Sequence, residues 1–229
     1  AMPLQNVLFP AFSSIQDDPV RLRALILRSA RLIASVGIPV GSLVAATAED
    51  LVPVLYGDKW LPMIPVLAAL GIGISIKAST AVTGPVLNSL NRVGLAFRYN
   101  LVGTLITFGG IALVLRDGIE AVAVVVAVTS LYWLVAFYVA LREAGITMRG
   151  PIVILGPPFL AAIISGLAVI ELRQLALELL DFAISRLVFK LGAGMVTYIF
   201  TLLVFSPSTL QDLRQLVSKI RSRCLHASS

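Results

Sequence analysis

The sequence predicts an all-α, polytopic membrane helix bundle, and three observations carry that expectation. Of the 229 residues, 58% are hydrophobic and only 13% are charged, whereas soluble domains carry about 25% charged residues. The charges are bunched, which leaves apolar runs at residues 32–48, 61–90, 99–115, 121–141, 151–170 and 187–205. Each run reaches or exceeds the roughly 17–25 residues that a helix uses to cross a bilayer. Short charged or Gly/Pro-bearing loops separate them, so six transmembrane helices are expected.

Residues 1–14 begin apolar but are too short to cross a hydrocarbon layer of about 30 Å, and they read as the end of an earlier transmembrane helix. Ala1 precedes Met2, and the start lacks the pattern of a signal peptide. It is expected to be cut from a longer chain. Residues 15–206 then form the six-helix unit. In residues 207–229, Ser208 and Gln211 make a capping box, and Leu210, Leu213, Val217, Ile220 and Cys224 recur at helical steps beside Arg214, Lys219, Arg221 and Arg223. That pattern predicts a basic amphipathic helix on the membrane surface. A shorter interfacial segment is expected where Leu172, Leu175, Leu179 and Phe182 alternate with Arg173, Glu178 and Asp181.

The formal net charge is +6 and the pI about 9.9. With six spans both ends lie on one side, and the loops then divide by charge. Arg21, Arg23, Arg28, Arg31, Arg92, Arg98, Arg142, Arg149 and the basic tail fall on one face; Glu49, Asp50, Asp58, Asp117, Glu120, Glu171, Glu178 and Asp181 fall on the other, with Lys59, Arg116, Arg173, Arg186 and Lys190. The basic face is expected to be cytoplasmic, in the cytoplasmic (inner) membrane, with both ends of the segment inside. Each Lys or Arg near an anionic leaflet gains about 1 kcal/mol, so membrane lipids account for the charge and no nucleic acid is called for. One cysteine (Cys224) and one histidine (His226), both in the tail, exclude an internal disulfide, His- or Cys-built metal centres and histidine triads within this chain. No cofactor is expected.

Lys77 is the main outlier. It stands 16 residues after Leu61 and 14 before Asn91, roughly 20 Å from either end of its run. A lysine at the centre of a span costs about 2.5–3.5 kcal/mol and usually faces a bundle interior or a watery cavity. Its ammonium suits an anionic group such as phosphate, or it is satisfied by Ser75, Ser79 and Thr80. In the first span Gly37, Pro39 and Gly41 allow either a hinge or close helix packing, since Pro39 removes a ladder hydrogen bond and Gly37-x-x-x-Gly41 matches the small-residue packing motif. Gly84 and Pro85 repeat the theme in the Lys77 span, followed by Asn88, Asn91 and Arg92. Asp17 and Asp18 invite two readings: a magnesium-holding pair for a transferase of lipid-linked sugars, or an N-cap at Asp18 with Pro19 at the first helical position.

The order and spacing of Phe9-Pro-Ala-Phe-Ser-Ser-Ile-Gln-Asp-Asp-Pro, Arg21-Leu-Arg, Ile38-Pro-Val-Gly, Leu51-Val-Pro-Val-Leu-Tyr-Gly-Asp-Lys-Trp and Gly84-Pro-Val-Leu-Asn-Ser-Leu-Asn-Arg resemble the polysaccharide-transporter flippases of the multidrug, oligosaccharidyl-lipid and polysaccharide exporter superfamily. The resemblance covers residue 9 to about residue 100, and beyond that only the hydropathy matches. It implies two helical lobes facing each other across a central cavity, through which a lipid-linked oligosaccharide moves by alternating access. This chain would be the C-terminal lobe, with an N-terminal lobe of the same protein as its partner, and no enzyme activity. It makes Lys77 the candidate for holding the substrate's pyrophosphate, with Arg28, Arg31, Arg98 and Asn88 as further candidate substrate-binding residues. Two alternatives are a drug–cation antiporter of the same superfamily, which should bind cations through carboxylates, and the transferase built on Asp17 and Asp18.

Overall fold

A computed structural model describes residues 2–147, 149–179 and 182–205, with side chains withheld for residues 2–7 and 179. Ten α-helices follow in order: α1 (Met2–Ser13), α2 (Pro19–Ala46), α3 (Ala48–Tyr56), α4 (Ile64–Ser79), α5 (Thr83–Ser89), α6 (Val93–Val114), α7 (Ile119–Thr129), α8 (Tyr132–Glu143), α9 (Arg149–Leu179) and α10 (Ala183–Phe205). Short 3-10 helices at Asp58–Met63 and Leu115–Asp117 link α3 to α4 and α6 to α7. No strand occurs among the described residues. Six helical stretches are long and apolar enough to cross a membrane, one for each expected span.

The boundaries shift where local chemistry decides them. The first span opens at Pro19, well before residue 32, because Asp18 caps it: its Oδ1 accepts the Arg21 N–H at 3.1 Å, and Pro19 takes the first turn, where an N–H would go unused. The run at residues 61–90 is interrupted at Thr80–Val82, just ahead of Pro85. Pro85 lacks an N–H for the Ala81 carbonyl and its ring crowds that oxygen. Hydroxyls take up carbonyls around the break: Ser79 on Ile76 at 2.6 Å, Thr80 on Lys77 at 3.0 Å and Thr83 on Thr80 at 2.6 Å. Residues 172–179 of the expected interfacial segment are continuous with the preceding span, as the last part of α9, which runs for 31 residues. Leu, Ala, Gln, Glu and Arg dominate that stretch, and all are strong helix formers with no breaker among them. The expected tail helix at 207–229 lies outside the described residues.

Small residues let the helices approach where apolar surface alone provides no drive between them. At the α2–α4 crossing, a Cβ on Gly41 would stand 2.7 Å from the Ser75 N, and one on Gly71 would stand 2.7 Å from the Gly41 oxygen; a Cβ on Gly37 would collide with that of Ala78. Gly37 and Gly41 thus occupy a packing seam, and α2 runs unbroken through Pro39. The missing N–H of Pro39 would orphan the Ser35 carbonyl. The Tyr198 hydroxyl on α10 donates to that oxygen at 3.0 Å. Ser165 on α9 likewise donates to the Gly194 carbonyl of α10 at 2.7 Å.

A compact core of Phe12, Ile26, Phe137, Leu141 and Ile154 gathers near the beginning of α2. Two helix ends close there with the same motif. The Arg92 N–H reaches the Leu87 carbonyl at 2.8 Å across Asn91, which sits at φ 58°, and the Ile146 N–H reaches Leu141 at 2.9 Å across Gly145 at φ 71°. Arg23 donates to the Ala144 carbonyl, and Arg92 pairs with Glu143 at 3.2 Å. At the other end of α2, Glu49 pairs with Arg173 and Asp50 with Lys190. The loops that the charge pattern assigned to opposite faces therefore meet at opposite ends of α2.

Candidate functional site

Lys77 lies in the last turn of α4, three residues before the interruption. Its side chain is exposed, and Nζ stands 5.8 Å from the centre of the Trp133 ring on α8, within reach of a cation–π interaction. Two adjoining clefts share Lys77 and Trp133. One, of about 240 Å³, is lined also by Thr107, Thr129 and Ser130; the other, of about 180 Å³, by Thr80, Thr83, Tyr99 and Asn100. Lys77 is thus the cation of a groove between α4–α5 and α6–α8, with hydroxyls on both sides. All three hydroxyls named for it on sequence grounds are engaged with backbone: Ser75 donates to the Ile38 carbonyl, Ser79 to Ile76 and Thr80 to that of Lys77 itself.

The aromatic wall is built deliberately. Tyr132 packs against Tyr99 with ring centres 6.2 Å apart and edge-on to Trp133 at 6.0 Å, and its hydroxyl donates to the Tyr99 carbonyl at 3.2 Å. Room for the pair comes from Gly103, where a Cβ would stand 3.0 Å from the Tyr132 ring and 3.2 Å from Trp133. A cation, flat apolar faces and several hydroxyls in one groove match a ligand that joins an anionic group to sugar-like polar rings.

The other sequence candidates are placed elsewhere. Arg28 and Arg31 are half-buried on α2, each engaged with another group. Arg98 is exposed on α6, and Asn88 is exposed near the end of α5, where its carbonyl accepts the Asn91 N–H at 3.1 Å. None of the four lines the two Lys77 clefts. Gly84 lines the second cleft, and with Pro85 it opens α5 just after the break; Gly37 and Gly41 belong to the packing seam with α4, and Pro39 lines an apolar cleft beside Tyr198 of α10. Asp18 is committed to its cap and to an ion pair with Arg21 at 3.2 Å.

Sequence reasoning missed two features. Trp133, Tyr132 and Tyr99 came unmarked, although Thr129-Ser130 beside them, polar residues inside an apolar span, were a visible signal. Lys190 was assigned to a loop of the acidic face; it is 4% exposed within α10, and its Nζ donates to Asp50 Oδ2 at 2.5 Å. That correction has a simple cause. The two partners are 140 residues apart, and each looked like an ordinary charge at the edge of an apolar run.

A family model described as "Polysaccharide biosynthesis protein" matches residues 1–65. The chain is 30% identical over 44% of its length to the lipopolysaccharide biosynthesis protein WzxC of Escherichia coli. It is 25% identical over 91% of its length to the teichuronic acid biosynthesis protein TuaB of Bacillus subtilis, and 24% identical over 96% to the succinoglycan biosynthesis transport protein ExoT of Rhizobium meliloti. The chain is thus similar to proteins of polysaccharide biosynthesis and transport. With six helices long and apolar enough to cross a membrane among its described residues, the chain is a multi-pass membrane protein. The matches cover 20% of WzxC and 44% of TuaB and of ExoT, so the chain spans less than half of each relative. No solved structure matches significantly.

Proposed function

We propose that the chain is the C-terminal lobe of a flippase that carries a lipid-linked oligosaccharide across the cytoplasmic membrane by alternating access. The observation that carries this reading is the Lys77 groove: one cation, an aromatic wall and hydroxyls beside a helix interruption within a membrane-spanning stretch. The ammonium neutralises the pyrophosphate of the carrier, Trp133 and Tyr132 offer flat faces to the sugar rings, and Thr107, Thr129 and Thr83, which donate their own protons to backbone carbonyls, accept hydrogen bonds from the sugar hydroxyls. The N-terminal lobe faces the groove across the cavity, and the longer relatives support its existence. Bending to switch access is assigned to the Thr80–Val82 joint ahead of Gly84 and Pro85, since Gly37 and Gly41 are held against α4. The basic end of α2, with Arg23 and Arg92, is cytoplasmic.

The test is polysaccharide export by the full-length protein. Lys77→Ala is expected to abolish export at unchanged membrane abundance, and Lys77→Arg to keep a measurable fraction, because charge is retained while point-like geometry is lost. Normal export by Lys77→Ala would reject the role. Trp133→Ala, at normal abundance, should weaken export and leave topology intact.

A further inference from the structure

We propose that the end of the bundle carrying Asp50 and Lys190 holds a second site, for a phosphate-bearing anion, centred on Arg186. Arg186 stands in the first turn of α10, half-buried, and its Nε is shut off from solvent without a hydrogen-bond acceptor among the described residues. Arginine does not shed its proton, so the unmet donor and its charge both require an acceptor from outside the chain's own described residues. The two carboxylates that line the cleft among the described residues are engaged: Asp50 accepts from Lys190, and Glu49 pairs with Arg173 at 3.0 Å. These five charged side chains line one open cleft of about 330 Å³ with Ile64 and Leu177. Among the described residues three cations there face two carboxylates, an excess of one positive charge.

A phosphodiester complements the Arg186 guanidinium in charge and in geometry. It brings a single negative charge and two free oxygens, which the planar fork of a guanidinium binds as parallel hydrogen bonds. Ile64 opens α4, so this cleft begins about 20 Å along the helix from Lys77. The two sites share no lining residue. The proposal therefore stands apart from the export reading, and binding rather than transport tests it.

The phosphate can come from a phospholipid head group or from a soluble phosphate compound, and two probes separate these sources. Full-length protein purified in detergent is titrated with phosphatidylglycerol, against diacylglycerol as the phosphate-free control, and in parallel with inorganic pyrophosphate, with bound species counted by native mass spectrometry. The wild type is expected to bind one phosphate probe at least about tenfold more tightly than Arg186→Gln, and Arg186→Lys is expected to recover part of the difference. Arg173→Gln is the second variant: its ion pair is exposed and contributes little to folding, yet its loss leaves Glu49 unneutralised in the cleft and should weaken the same binding. A difference confined to phosphatidylglycerol assigns a lipid head group; one seen with pyrophosphate assigns a soluble ligand. Equal binding of both probes by wild type, Arg186→Gln and Arg173→Gln would overturn the site.

Discussion

Two lysines within apolar runs are accommodated in opposite ways. Lys77 keeps its ammonium at a groove surface over Trp133, where a ligand can reach it. Lys190 is 4% exposed and gives its proton donors to Asp50, itself 8% exposed. Pairing of this kind offsets burial of both charges but adds little net stability; removing one partner leaves the other charge stranded, at about 3–5 kcal/mol. Asp50→Asn is therefore expected to lower the unfolding temperature in detergent sharply, whereas Asp50→Leu combined with Lys190→Met should recover most of the loss. Tryptophan-fluorescence melts of the single and double variants decide it, and equal melting of Asp50→Asn and wild type would show that the pair is not buried as described.

At the scale of helices, proline and the small residues act together. Pro39 leaves the Ser35 carbonyl without its helical donor, and Tyr198 on α10 supplies one. Interhelical hydrogen bonds in membranes contribute about 0.6 kcal/mol on average, so Tyr198→Phe should be mildly destabilising. In a Pro39→Ala background the helix regains its own N–H for Ser35, and Tyr198→Phe should then cost close to nothing. A double-mutant cycle on unfolding free energies measures that coupling. Simple additivity would mean that Tyr198 acts through packing alone. The same logic explains why the Lys77 span breaks while the Pro39 span does not: α2 has a neighbouring hydroxyl to replace the lost bond, and hydroxyls of the α4–α5 turn stabilise a bend.

Across the whole molecule, charge divides the two ends. Arg23, Arg92 and Glu143 gather at the beginning of α2, and Glu49, Asp50, Arg173 and Lys190 at its far end. If the first end is cytoplasmic, a cysteine replacing exposed Thr147 should resist an impermeant thiol reagent in intact cells and react after permeabilisation, while one replacing exposed Asp117 should react from outside. Both belong in a background without other cysteines, Cys224→Ser included. The reverse labelling pattern would invert the orientation.

Much of this was legible from residue order. Apolar run length set the number of spans, because lipid offers the backbone no hydrogen bonds and each crossing must be a helix. Asp18-Pro19 marked its own cap, since capping depends on neighbours within one turn. The spacing of Gly37 and Gly41 announced a tight crossing without naming α4 as its partner. Pairings across the bundle stayed hidden: Asp50 with Lys190, Tyr198 with Ser35, Lys77 with Trp133. Such contacts depend on which helix faces are turned toward each other, and that is decided only when small residues, orphaned carbonyls and stray charges are all satisfied at once in three dimensions.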